Sequence, residues 1–248
     1  MTRVAALYDI HGNLPALEAV LQEVRRESVD CIVVGGDVLP GPMPTECLGV
    51  LLALDIPVRF IQGNGEREVL AERAGMESAA IPEAFREAMR WSAGQLDETH
   101  ANTIQAWPAT LQLSIAPHGD VLFCHATPAS DTDIVTERTS DEKIGAMFGT
   151  VESALVVCGH THMQFDRHVG ATRIVNAGSV GMPFGAPGAY WLMLDSALAL
   201  RCTAYDLRSA AARIRASRYP DADQFAAGNV LNPPSREAML SAFGGTQG

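Results

Sequence analysis

The sequence predicts an α/β fold that carries a helical insertion and a second, antiparallel sheet. Three observations lead there. Short apolar runs alternate with amphipathic stretches as far as Ile61. A segment rich in Ala, Glu, Arg and Met breaks that rhythm from about 66 to 107. Short alternating runs separated by many glycines then occupy 163–195, the pattern of antiparallel hairpins.

The elements follow in order. Val4 to Tyr8 is a short apolar run that suits a buried strand. Asn13 and Pro15 open a helix in which Leu14, Leu17, Val20, Leu21 and Val24 share one face. Asp30 to Val34 predicts a second strand halted by Gly35-Gly36. After the loop marked by Pro40-Gly41-Pro42, a helix is expected from Thr45 to Leu54. Pro57 to Ile61 predicts a third strand, halted by Gly63. This spacing indicates right-handed βαβ units and a sheet covered on both faces. The insertion at about 66–107 reads as two or three helices. Leu111–Ile115 and Val121–Cys124 read as strands joined by a turn at 117–120. A helix fits Asp141–Phe148, a buried strand Ala154–Cys158, hairpins of a second sheet the stretch 163–195, and a helix Asp206–Ser217. Residues 1–248 are expected to form one domain, with a C-terminal helical extension at about 206–248 whose last residues fray.

Composition narrows the function. Hydrophobic residues make up 47% and charged residues 19%, enough to bury a core and to argue against disorder. The net charge of −11 argues against general nucleic-acid binding, but a phosphorylated substrate stays compatible because bound cations reverse the field locally. The five cysteines form no CxxC and are expected to be small buried hydrophobes in a reducing compartment. Met76, Met89 and Met147 are expected to fill core. No apolar stretch is long enough to span a bilayer and no secretory segment precedes the first strand, so a cytoplasmic protein is expected.

Chemistry gathers where the strands end. The first run leads to Asp9 and His11, the second to Asp37, the third to Asn64, a later one to His125, and the last to His160 and His162. Strand carboxyl ends in an α/β sheet converge on one crevice, so residues far apart in sequence can meet there. Two carboxylates, four imidazoles and an amide supply enough N and O donors for two borderline cations. Taken singly, each motif has a plain structural reading: Gly63-Asn64-Gly65 is a turn signal, and His125 a core histidine. The ordered set, each member after a buried strand, outweighs those readings.

The blocks DIH at 9–11, GGD at 35–37, GN at 63–64, CHA at 124–126 and GHTH at 159–162 resemble the signature of the calcineurin-like metallophosphoesterases. DIHGNLPALEAVL at 9–21 and NAGSVGMP at 176–183 resemble the small bacterial and archaeal, phosphodiesterase-like branch of that superfamily. The resemblance runs from Val4 to about Pro183. It implies a two-sheet β-sandwich flanked by helices, with metals at one sheet edge. It implies Asp9, His11 and His162 as ligands of one metal, Asn64, His125 and His160 as ligands of a second, and Asp37 as the bridging carboxylate. Asp37, Asn64 and His125 are thereby expected to serve catalysis. The implied activity is phosphoester hydrolysis by a hydroxide bridging the two cations, attacking phosphorus in line. Mn2+ is the expected ion in vitro; Fe2+, Zn2+, Ni2+ and Co2+ suit the same donors.

The sequence departs from that pattern at Gly65. Many members of the family carry a His directly after the metal-binding Asn, and that His assists the leaving group. Its loss removes a contribution of about 10²–10⁴-fold unless another group replaces it. The missing imidazole is also expected to leave room beside the phosphate. Both points favour phosphodiesters, or esters with good leaving groups, over alkyl monoesters. Glu66, Arg67, His100, His118 and His168 are the replacement candidates, and Asn13, Gly65 and Arg67 the candidate substrate contacts. Asn176 and Ser179 are expected to be structural. Specificity is expected from the 66–107 insertion and the 183–187 loop. The expected partner is a small phosphorylated substrate such as a nucleotide or cyclic nucleotide, with no membrane contact; oligomeric state is left open. A phosphomonoesterase acting on phosphoprotein or nucleotides is the alternative within the enzyme class. A metal-containing nucleotide- or protein-binding module with little turnover is the alternative outside it.

Overall fold

A computed structural model describes residues 2–76 and 81–245. The expected fraying of the last residues concerns 246–248, which lie outside the described residues, as do 77–80 of the insertion.

Two βαβ units open the chain: β1 (Val4–Leu7), α1 (Leu14–Arg26), β2 (Cys31–Val34), α2 (Pro44–Leu52) and β3 (Val58–Phe60). Asn13 starts α1 by accepting the Ala16 N–H at 3.3 Å, Pro15 sits in its first turn, and Arg25 and Arg26 face the negative end of the helix dipole. Among its described residues the insertion forms three helices, α3 (Asn64–Arg73), α4 (Glu83–Gln95) and α5 (Glu98–Gln105). Then come β4 (Thr110–Ile115), β5 (Gly119–Cys124), α6 (Asp141–Phe148), β6 (Leu155–Cys158), β7 (Phe165–Val169), β8 (Thr172–Asn176), β9 (Ala189–Leu194) and β10 (Leu198–Thr203). The chain ends in α7 (Leu207–Arg215), a short α8 (Ala222–Phe225) that runs into a π-helical turn (Ala226–Leu231), and α9 (Arg236–Gly245).

The strands form two mixed five-stranded sheets. The first has the order β10-β9-β1-β2-β3, the second β4-β5-β6-β8-β7. β1, β2 and β3 are parallel, and so are β5, β6 and β8; the remaining pairs are antiparallel. The period of two along β1 explains the layering. Ala5 and Leu7 pack under the helices, whereas Val4, Ala6 and Tyr8 pack between the sheets against Phe123, Val157 and Val175. Along β6, Leu155 and Val157 enter that same inter-sheet layer, while Val156 and Cys158 face Ile144 and Phe148 of α6. Each such fully buried apolar side chain contributes about 1.5–3 kcal/mol.

One expectation needs correction. The 163–195 stretch does not lie wholly in the second sheet. Its β7–β8 hairpin does, but β9 pairs antiparallel with β1 in the first sheet, with Val4 opposite Leu194 and Ala6 opposite Leu192. β10, which lies beyond that stretch and was not expected from the sequence, extends the first sheet beyond β9. The reason is burial on both faces. Trp191 and Met193 pack under the helices, and Leu192 and Leu194 face the other sheet. A strand covered on both sides shows no apolar–polar alternation.

Among the described residues no cysteine is paired. Cys47, Cys124 and Cys158 are buried, but Cys31 is half-buried and Cys202 exposed. Met89 is buried and Met147 packs on the α6 cluster, whereas Met76 stands 63% exposed, so it fills no core. No described helix is long and apolar enough to cross a membrane.

Candidate metal centre

Strands from the parallel parts of both sheets deliver the donors. Asp9 and His11 follow β1, Asp37 follows β2, His125 follows β5, and His160 and His162 follow β6. Asn64, after β3, is the first residue of α3. Two groups of donor atoms result: Asp9 with His11 and His162, and Asp37 with His125 and His160, the atoms of each group within 4.8 Å of one another. Asp37 Oδ2 lies 3.7 Å from His11 Nε2 and 3.6 Å from His125 Nε2, so it reaches both groups. Asp9 Oδ1 lies 3.4 Å from His162 Nε2 and 3.9 Å from His125 Nε2.

The backbone is bent to this purpose. Among the described residues six non-glycine positions have positive φ, and five of them are Asp9, His11, Asp37, His160 and His162. Such conformations are uncommon for side chains with a Cβ and persist where the surroundings over-determine them. Here the loops hold one another. Asp9 N–H donates to Gly36 O, His11 N–H to Asp37 O, and Gly159 N–H to His125 O. Ser179 Oγ donates to Asp9 O at 2.7 Å, and Asn176 Nδ2 donates to Gly159 O at 2.6 Å. Both residues are structural, as expected.

The largest support comes from Glu66. Its fully buried carboxylate accepts four backbone N–H groups: Asp37 at 2.8 Å, Val38 at 2.7 Å, Leu39 at 3.1 Å and Gly63 at 2.8 Å. The Asp37 loop is thus clamped to the start of α3. Sequence reading named Glu66 only as a replacement acid. Its place three residues after Gly63, the N-cap, was the available signal of a capping role.

The donors fit cations. His11, His125 and His162 each place Nδ1 against a backbone carbonyl, of Pro40, Gly35 and Met182 respectively. That fixes the Nδ1–H tautomer and aims the Nε2 lone pairs inward. His11 Nε2 and His162 Nε2 then face each other across 3.2 Å. Asp9 Oδ1 is buried with no hydrogen-bond donor. One amide atom of Asn64 lies 3.1 Å from His160 Nδ1 and 3.2 Å from His125 Nε2; with oxygen there, three lone pairs converge, as a cation requires.

Protonation shows the same strain. Burial pushes the Asp37 carboxyl up to about 8, with Glu66 and Asp9 adding to it and His125 opposing. Burial also lowers His11 and His160 to about 3, helped by His162 and His125 respectively. Burial works against the charged forms of His125 and His162 too, but Asp37 and Asp9 outweigh it and hold both above the usual histidine range. Asp9, despite its burial, is kept below the carboxylate range by His162, His125 and His11. The charges close only when protons or cations sit among these groups.

The other predicted residues lie elsewhere. Asn13 is fully buried and donates to Gly181 O at 2.9 Å and Tyr205 Oη at 3.4 Å, besides capping α1. Arg67 is exposed and bidentate to Asp131 at 2.7 and 3.0 Å. His100 caps α5, and His118 lies against the Asp195 carbonyl. None of these, nor His168, lines the cavity above the donors. The room expected at Gly65 is corrected as well. Gly65 is buried, its N–H donates to Asp37 Oδ1 at 2.7 Å, and an added Cβ would overlap the Leu39 carbonyl oxygen. Backbone, not open space, replaces the imidazole.

The cavity itself measures about 540 Å³ and opens over His11, Asp37, Asn64, His160 and His162. Part of its wall is α4, as the insertion was expected to provide. The opposite part is the 219–229 segment rather than the 183–187 loop. Phe184 of that loop instead stacks on His162, with ring centroids 4.9 Å apart.

With this geometry in hand, comparison with known proteins is direct. The calcineurin-like phosphoesterase superfamily domain matches residues 2–197. The chain belongs to that family. Membership supports a hydrolase acting on phosphate esters, and agrees with the two donor groups. The uncharacterized protein MJ0912 of Methanocaldococcus jannaschii is 26% identical over 239 residues, covering 88% of this chain and 94% of that protein. The crystal structure of hypothetical protein PH1004 from Pyrococcus horikoshii OT3 superposes with a TM-score of 0.80 at 19% identity, over 95% of this chain and 100% of the other. That of a metallophosphoesterase from Sphaerobacter thermophilus does so with a TM-score of 0.71 at 23% identity, over 92% and 99%. Both share the fold of two sheets flanked by helices.

Proposed function

We propose that this family member hydrolyses phosphodiesters at a centre of two divalent cations. The observation that carries the reading is the reach of Asp37 Oδ2 to both donor groups, 3.7 Å from His11 Nε2 and 3.6 Å from His125 Nε2. Divalent cations bound there would polarise a phosphoryl oxygen and lower the pKa of bound water toward neutrality. Asp9, His11 and His162 would hold one cation and Asn64, His125 and His160 the other, with Asp37 supplying negative charge to both donor groups. The carbonyls of Pro40, Gly35 and Met182 keep the imidazoles turned inward. Glu66 keeps the Asp37 loop in register with α3.

Preference for diesters is supported by what surrounds the donors. No imidazole other than those of His11, His160 and His162 lines the cavity among the described residues, so no further imidazole serves as acid for a poor leaving group. A cavity of about 540 Å³ accommodates the second substituent that a diester carries. The reading is tested with the Mn2+-loaded protein on bis(p-nitrophenyl) phosphate and p-nitrophenyl phosphate. A kcat/KM at least about tenfold higher for the diester is expected. Equal values would remove the preference, and a fully loaded protein that turns over neither would favour a binding module.

A further inference from the structure

Resting on that reading, we propose that the substrate carries one phosphate only, joined to a flat, uncharged heteroaromatic group with N–H or O–H donors, as in a nucleoside. The cavity roof is aromatic. Phe85 stands on α4 and is 58% exposed, yet its ring lines the cavity over the donors. Of the four large hydrophobic side chains that the described surface exposes, Phe85 alone lines this cavity. Tyr219 lines the opposing part of the wall, and Met89 adds apolar surface beside Phe85. The two parts of the roof are locked together. Trp91 of α4 meets the Tyr219 ring edge-on at 5.3 Å, and Tyr219 meets Phe225 edge-on at 6.1 Å. An aromatic surface held open in this way suits a flat guest.

The polar groups specify the guest further. Asp221, Gln224 and Asn229 also line the cavity. The side chains of Gln224 and Asn229 make no hydrogen bond to described residues, and Asn229 sits in the π-helical turn 226–231. π-Helical turns are rare and recur at functional sites. Two free amides and a carboxylate accept and donate to the edge of a base or to sugar hydroxyls. They offer a second phosphate no positive charge. No described residue lining the cavity is Lys or Arg, and Asp221 repels an anion. Within this cavity the positive charge available to a phosphate would lie at the metal donors; Arg67, which lines a neighbouring pocket beside His125, is paired with Asp131.

The test uses three diesters that share p-nitrophenol as leaving group, so differences report the other substituent. They are methyl p-nitrophenyl phosphate, thymidine 5′-(p-nitrophenyl phosphate), and the same thymidine diester bearing a 3′-phosphate. The Mn2+-loaded full chain is expected to prefer the thymidine diester over the methyl diester by about tenfold or more in kcat/KM. The 3′-phosphate is expected to abolish that gain. In Phe85→Ala and in Gln224→Ala/Asn229→Ala the preference ratio falls toward one, with unchanged melting temperatures confirming the fold. A wild-type ratio near one, a ratio insensitive to both variants, or equal turnover of the 3′-phosphorylated diester overturns this inference while leaving the phosphodiesterase reading intact. Turnover of none of the three by the metal-loaded protein defeats that reading itself.

Discussion

The carboxylate of Glu66 accepts the backbone N–H of Asp37 at 2.8 Å, joining the start of α3 to the loop after β2. Three more backbone N–H groups converge on the same carboxylate, so Glu66 both satisfies buried donors and fixes where Asp37 points. Replacing it with Gln leaves one oxygen for four donors and turns an NH2 toward N–H groups. Glu66→Gln is expected to lower the unfolding free energy of the metal-free chain by about 2–4 kcal/mol, read by chemical denaturation. Unchanged stability would mean that the clamp is dispensable.

Asp37 behaves oppositely. Burial pushes its carboxyl up to about 8, so in the metal-free chain its charge opposes folding. Asp37→Asn is therefore expected to leave the metal-free fold at least as stable as the wild type. The same substitution should abolish turnover and reduce bound metal from two ions per chain to one or none. Elemental analysis after gel filtration reads the stoichiometry; two retained ions would refute the bridging role.

Metal binding must displace protons. His125 and His162 lie above the usual histidine range, and Asp37 at about 8, so near pH 7 the metal-free centre holds protons that cations have to expel. Apparent metal affinity is thus expected to rise with pH through about 8, where Asp37 loses its proton. Calorimetric titrations with Mn2+ in buffers of different ionisation enthalpy should report net proton release at pH 7. Zero release would contradict the charge arrangement described above.

Gly65 gives a prediction against intuition from the family. Restoring an imidazole there should not restore a general acid, because the Cβ would overlap the Leu39 carbonyl and approach Asp37 Oδ1 to 2.9 Å. Gly65→His is expected to destabilise the chain by about 1–3 kcal/mol and to leave monoester turnover no higher. A gain in p-nitrophenyl phosphate hydrolysis without loss of stability would show that the loop has room.

How far the sequence carries the account differs from residue to residue. β1, β2, β6 and α1 were legible because local pattern and tertiary role agree: apolar runs end at Asp9, Asp37 and His160, and Asn13 with Pro15 marks a helix start. The donors were legible because strand ends in parallel sheets converge. The place of β9 in the first sheet was not, because β9 is buried on both faces and shows no alternation. The cavity roof was invisible for another reason. Phe85 and Tyr219 come to line one cavity only through the tertiary packing of segments far apart in the chain, and no local pattern announces such an aromatic. Gly65 misled because a missing side chain reads as space in a sequence, whereas here the Leu39 backbone fills it.

The central claim is that Asp37 stands between two cations. An anomalous difference map from a crystal grown with Mn2+ tests it most directly. Two peaks about 3.5–4 Å apart, one beside Asp9, His11 and His162 and the other beside Asn64, His125 and His160, with Asp37 touching both, are predicted. A single peak, or two peaks that Asp37 does not join, would contradict the account.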